Sequence, residues 1–318
     1  MTKEMVPMNE WDAHRIRIPK PGERGNGVSE LEEIYHVVHP PEARRILEVG
    51  KIRAGIVYDE SRLNVTRAHV VWLSANRWAP GSIYGTVEFT FPWLPLIAGR
   101  RFYWVETMPG YRPPAYRILM TDKDLSALPF LRPYDPSTDK GPLRERGGTW
   151  YWNHADTSEF LLDRNLDLAE CVNFQATTHR RDRCRLHGSD CKELETATYV
   201  TAARMLSYIL SHDIHSIDHV FKNRAPPGIN RPLSSEFTNS ISGIWLAFVV
   251  HKNTRFEGEI TSLKQSKAIV KGALALYSAD QGGDARKLTR LLKDEVTFKA
   301  AFEAVVNEHF DISGWTYS

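Results

Sequence analysis

The apolar residues of this chain change their spacing near Lys192, and that change limits the fold more than any single motif does. Before it they come in short runs rich in β-branched and aromatic residues, at 34–38, 69–74, 83–91, 102–106, 116–120, 150–152, 157–162 and 172–177. Such runs, separated by Pro, Gly and charged residues, read as strands. After it Ala197, Val200, Met205, Leu206, Ile209 and Leu210 recur at helical spacing, as do Ile241, Ile244, Trp245, Phe248 and Val249. Residues 260–278, 284–294 and 296–309 continue in that manner. Strands followed by helices predict an α+β chain. The boundaries expected are a Pro- and Gly-rich arm over 1–30, a β-rich domain over 31–192 and a helical domain over 193–318.

The first ordered unit is a strand at 34–38, a stop at Pro40-Pro41, a helix over 42–49 with Ala43, Ile46 and Leu47 on one face, and Gly50 as its C′ residue. Residues 133–149, rich in Pro, Gly and charge, read as a loop. No segment approaches the ~20 apolar residues of a membrane span; the longest candidate is 244–250. With 42% apolar and 25% charged residues the chain can build a sizeable core. Its 41 basic and 39 acidic residues nearly cancel, which argues against wholesale electrostatic binding to nucleic acid but leaves room for a local basic patch. Cys171, Cys184 and Cys191 are too few for a disulfide framework. With no apolar leader in the opening residues, a cytoplasmic protein without membrane partners is expected.

One carboxylate stands inside an apolar strand. In Ser158-Glu159-Phe160-Leu161-Leu162 the alternation of a strand puts Glu159 and Leu161 on one face and Phe160 and Leu162 on the other. Burying a carboxylate there is costly unless it is paired or faces a cleft. The bland alternative is an edge-strand glutamate in water. Glu106 and Glu88 are competing glutamates. Just upstream, Trp150-Tyr151-Trp152 offers aromatic faces on which a base could stack.

Three stretches then stand in order: Tyr35-His36-Val37-Val38 with its helix and Gly50; Leu73-Ser74 with Ile83-Tyr84-Gly85; and Ser158-Glu159-Phe160-Leu161-Leu162. Together they resemble the His-Tyr-Glu branch of the ADP-ribosyltransferase superfamily, the diphtheria-toxin-like and PARP-like enzymes, with the third stretch similar to the glutamate segment of DarT-like bacterial toxins. The resemblance covers roughly residues 31–190. It implies a split antiparallel β-sheet core with NAD bound as substrate. His36 would hold a ribose hydroxyl, with His39 as its rival. Tyr84 would stack on the nicotinamide ring, and Glu159 would stabilise charge developing on the sugar. Arg53 and Arg67 are candidate partners of the pyrophosphate by position. The acceptor expected is a nucleic-acid base, as in toxin–antitoxin or phage-defence systems, with an antitoxin as a further partner; a protein acceptor or water, making an NAD glycohydrolase, are the alternatives. The helical part matches no family.

A second pattern points elsewhere. His179, Cys184, His187 and Cys191 follow one another with four, two and three residues between them, spacings suited to tetrahedral zinc. Arg180, Arg181, Arg183 and Arg185 lie in the same stretch, with Arg164 further back, and form a candidate phosphate-contact patch. Incidental thiols in a basic loop are the simpler reading, so no metal is assigned. A zinc-containing nucleic-acid-binding protein is the non-enzymatic alternative.

Overall fold

The computed structural model describes residues 28–57, 62–75, 82–105, 116–139, 141–153, 158–184, 197–211, 235–252, 258, 260–281 and 285–300. The arm over 1–27, Glu106, Asn153's neighbour His154, Arg185, His187 and Cys191 lie outside them. In chain order the strands are β1 (Val28–Glu30), β2 (Glu33–Val38), β3 (Lys51–Ile52), β4 (Gly55–Ile56), β5 (His69–Leu73), β6 (Val87–Pro92) and β7 (Arg101–Val105). There follow β8 (Tyr116–Thr121), β9 (Leu131–Tyr134), β10 (Leu143–Arg146), β11 (Thr149–Asn153), β12 (Ser158–Leu162), β13 (Leu166–Asp167) and β14 (Asn173–Ala176). The helices are α1 (Pro40–Val49), α2 (Trp93–Ile97), α3 (Thr198–Ser211), α4 (Ser235–Lys252), α5 (Ile260–Gln281) and α6 (Ala285–Lys293). This is a mixed α+β chain with several antiparallel sheets. Among the described residues no helix is long and apolar enough to cross a membrane.

The chain divides into two compact units, neither of them continuous in sequence. The first contains residues 52–79 and 90–167 with the N-terminal strand up to His36. Its centre is a six-stranded sheet of order β4-β5-β12-β8-β7-β9. Every neighbouring pair there is antiparallel except β12 and β8, which run parallel with Glu159 opposite Arg117 and Leu161 opposite Leu119. The alternation expected of β12 holds. Leu161 joins Val57, Leu63, Val70, Tyr103, Val105, Leu119 and Leu131 in a closed cluster on one face. Phe160 turns to the other, 5.4 Å from the ring of Trp93, itself 5.6 Å from Trp150. Burying each such side chain contributes about 1.5–3 kcal/mol. Immediately after β12, Asp163 accepts from Thr121 Oγ1 at 2.6 Å and pairs with Arg100 and Lys123 at 3.2 Å, pinning one end of the β8–β12 pair.

The segment 133–149 is not one loop. It contains β10, which pairs with β11, and the end of β9. Pro133 sits in β9 because β9 is the last strand of its sheet, where a missing N–H costs no ladder bond. The β10–β11 ribbon corrects the aromatic reading as well. Trp150 and Trp152 share one face, and Trp152 is buried while Trp150 packs on Trp93 and Phe102. Only Tyr151 of the three lies on the opposite face, across from Arg144.

The second unit holds residues 37–51, 80–89 and 168–318. Pro40-Pro41 does not merely stop β2; both prolines open α1, with His39 as N-cap, because a first-turn residue needs no N–H partner. Gly50 ends α1 in the left-handed conformation, φ 80°, with its N–H bonded to the Ile46 carbonyl. The long helices α3 and α5 pack on each other, with α1 and α4 against α5. Gly272 of α5 lies where Leu47, Phe174 and Ala203 meet. Near the end of the described chain Phe248 and Phe298 stack with centroids 4.4 Å apart.

Candidate functional site

In the first unit the sheet register builds one polar cluster. Arg117 on β8 is 2% exposed and its Nε donates to Glu159 Oε2 at 2.6 Å. The pair is a direct cross-strand partnership. The Arg117 guanidinium carbon lies 5.2 Å from the centroid of Trp72, a cation–π distance. Trp72 stands opposite Leu161 on β5, on the same face as Glu159. Glu159 keeps 18% of its side chain exposed. Arg117 Nε thus holds the Oε2 oxygen of a carboxylate that keeps some contact with solvent.

His36 reaches the same group of strands. Backbone hydrogen bonds join Tyr35 and Ser74 in both directions, at 2.8 and 2.9 Å, and bring β2 beside the end of β5. The His36 Nδ1 then lies 2.8 Å from the Trp72 carbonyl oxygen. A carbonyl only accepts, so Nδ1 carries the proton and Nε2 keeps its lone pair. Burial lowers the His36 pKa from its ordinary value, against a smaller opposite push from the Trp72 hydrogen bond. The neutral, acceptor form is therefore the one present at neutral pH.

Tyr84 belongs to the second unit and precedes β6, in a bend rather than in the strand expected over 83–91. The cause is Gly85, φ 142°, where a Cβ would overlap the backbone of Val38 and His39. Only glycine permits that approach. The segment bearing Tyr84 thus lies against the C-terminal end of β2. Arg53 and Arg67 are exposed, and Arg67 has a left-handed φ of 55°, at the end of the turn that precedes β5. Of the competing glutamates, Glu88 is buried and accepts from Gln175 Nε2 at 3.1 Å, while Glu106 lies outside the described residues.

His39 is not grouped with His36. It meets His179 and Cys184 in the second unit, and the candidate ligand atoms of the three lie within 4.8 Å of one another. His39 Nε2 is 3.6 Å from Cys184 Sγ, and the two imidazoles are edge to face at 5.0 Å. His179 is held by Ser82: the backbones bridge, and the His179 Nδ1 lies 2.9 Å from the Ser82 carbonyl oxygen. In the arginine stretch, Arg180 pairs with Asp182 at 3.4 Å and Arg181 is exposed.

Arg117 is the site residue that sequence reasoning missed, and Trp72 the second. A signal existed. In Tyr-Arg-Ile-Leu-Met a single cation interrupts an apolar strand, and a buried cation requires an anion on a neighbouring strand. Glu159, an acid inside an equally apolar run, is the matching partner. No family model, curated protein or solved structure matches this chain.

Proposed function

We propose that the chain is an NAD-dependent ADP-ribosyltransferase of the His-Tyr-Glu type, built on a split-sheet core, with a nucleic-acid base as acceptor. The observation that carries this reading is the Glu159 carboxylate, fixed on one oxygen by Arg117 and beside the strand whose Trp72 carbonyl orients His36. These groups fit NAD chemistry. His36 Nε2 accepts a hydrogen bond from a ribose hydroxyl. The second oxygen of Glu159 accepts from the ribose whose bond to nicotinamide breaks, and its charge stabilises the oxocarbenium-like transition state. Tyr84, in the second unit, is the residue that the resemblance assigns to the cationic nicotinamide ring, for which an aromatic face is suited. Arg53 and Arg67, both exposed, pair with the pyrophosphate. Positioning and preorganised charge supply most of the rate in such a site.

A nucleic-acid acceptor is supported by the exposed Arg146 on the same face of the ribbon as the half-buried Tyr151, a cation and an aromatic ring suited to a phosphate and a base; Arg144 on that face is half-buried and donates to the Asp139 carbonyl. The test is incubation of the purified protein with labelled NAD and, separately, RNA, DNA and cell lysate, with Glu159→Gln alongside. Label on a nucleic acid with wild type alone supports the reading. Label on protein changes the acceptor, and nicotinamide release without transfer makes the chain a glycohydrolase. Equal NAD turnover by wild type and Glu159→Gln would remove Glu159 from the chemistry.

A further inference from the structure

The His39, His179 and Cys184 group belongs to the second unit and has no role in the chemistry assigned to Glu159; its geometry has its own logic. We infer that these three side chains bind a zinc ion that ties the start of α1 to the segment 179–184.

The donor set is two imidazoles and one thiol, which suits zinc and disfavours the hard, oxygen-seeking cations. Zinc–nitrogen bonds of about 2.0–2.1 Å and zinc–sulfur bonds of about 2.3 Å give a tetrahedral N···S edge of about 3.6 Å. The His39 Nε2 to Cys184 Sγ separation is 3.6 Å. His179 is already in the form a ligand needs. Its Nδ1 proton is given to the Ser82 carbonyl, so Nε2 presents its lone pair, and a backbone carbonyl on the far nitrogen is the usual orienting partner of a metal-bound histidine. His39 and Cys184 are 3% and 5% exposed. Burial at this level argues against a Cys–His nucleophilic pair, which must reach a substrate.

Each ligand is also held by backbone. His39 caps α1 and its carbonyl accepts from the Ala43 N–H at 3.0 Å. Ser82 N–H donates to the Thr178 carbonyl and Arg180 N–H to the Ser82 carbonyl, both at 2.7 Å, which fixes the backbone on either side of His179. Cys184 N–H donates to the Arg181 carbonyl at the end of a 3₁₀ turn. Residues 39, 82, 179 and 184 come from three distant parts of the sequence, so a metal here acts as a clamp, and its binding is coupled to folding.

The experiment is metal analysis of the full chain expressed in zinc-supplemented medium, together with His179→Ala, Cys184→Ser and, as a control, Cys171→Ser. Cys171 is buried and outside the cluster. About one zinc per chain is expected in wild type and in the control, with at least a tenfold loss in the other two. Because a cluster variant can fail to fold, the wild type stripped of metal is also titrated with cobalt(II). A thiolate-to-cobalt charge-transfer band with the intense visible spectrum of tetrahedral cobalt is expected. A folded wild type that holds no zinc and gives no cobalt–thiolate band overturns the inference, and so does zinc retained in full by Cys184→Ser. Neither readout depends on NAD turnover.

Discussion

The two polar clusters of this molecule are assembled in opposite ways. Glu159 and Arg117 are register partners on adjacent strands, so the ladder that pairs β12 with β8 also makes their ion pair. His39, His179 and Cys184 share no strand or helix; a helix cap, an isolated bridge and a 3₁₀ turn deliver them. The first cluster is as rigid as its sheet, and a one-residue slip would turn every side chain to the wrong face. The second is only as well defined as three loops and whatever joins their ends. A site that must hold a carboxylate to a fraction of an ångström gains from the first arrangement, whereas a clamp gains from linking distant segments.

The largest effect that tests this contrast is functional. Glu159→Gln keeps an oxygen for the Arg117 Nε but loses the charge, and NAD turnover is expected to fall by about 10²–10³, the usual effect of removing one charge-stabilising group. Steady-state nicotinamide release measures it, and far-UV circular dichroism should be unchanged. Arg117→Met strikes the same pair from its buried side. Breaking a buried pair costs about 3–5 kcal/mol, but Glu159 keeps some contact with water, so about 2–3 kcal/mol is expected in urea unfolding. A shift below 1 kcal/mol would mean that the register, not the charge, holds the strands.

For the second cluster, removal of metal should lower the unfolding free energy by about 2.7 kcal/mol if free zinc stood a hundredfold above its Kd. Chelator titration followed by thermal unfolding reads this, and an unchanged midpoint would show that the loops hold themselves. Gly85→Ala, which pushes on the Val38–His39 backbone, is expected to cost about 1–2 kcal/mol and to weaken metal retention while leaving the Arg117–Glu159 pair intact. The smallest effect is on pH. A histidine whose folded pKa lies below its unfolded value contributes stability that is full above about 6.5 and is lost as pH falls toward the folded pKa. Acidification below pH 6.5 should therefore destabilise wild type more than His36→Gln. His251, also lowered by burial and by Lys267, contributes the same sign in both proteins.

How much of this was legible follows from what each segment buries. The strands at 69–73, 101–105, 116–121 and 158–162 are apolar on one or both faces, and their sequence shows it. The helical spacing after residue 192 likewise corresponds to α3 to α6. β9 and β10 were hidden because Leu-Arg-Pro-Tyr and Leu-Arg-Glu-Arg bury little, β9 as a sheet edge and β10 in a narrow ribbon. Tyr84 leaves the strand because of a close backbone approach at Gly85 that no local pattern encodes. The spacing of His179 and Cys184 suggested a metal, but nothing in it could name His39, some 140 residues earlier; the meeting is a property of the fold alone.

The parallel pairing of β8 with β12 also sets an order of events. Thirty-six residues separate the end of β8 from the start of β12, and three strands of other pairings are made from them. Parallel pairing across such a separation is slow compared with a local hairpin, because the loop-closure entropy is lost before the strand contacts form. Arg117 therefore leaves the ribosome, and can settle beside β7, well before Glu159 exists. β12, one of the two central strands, is the last strand of this sheet in the chain and carries the carboxylate. A chain interrupted before residue 158 would hold the cation and lack the anion, so any activity that depends on Glu159 can appear only once the sheet is closed.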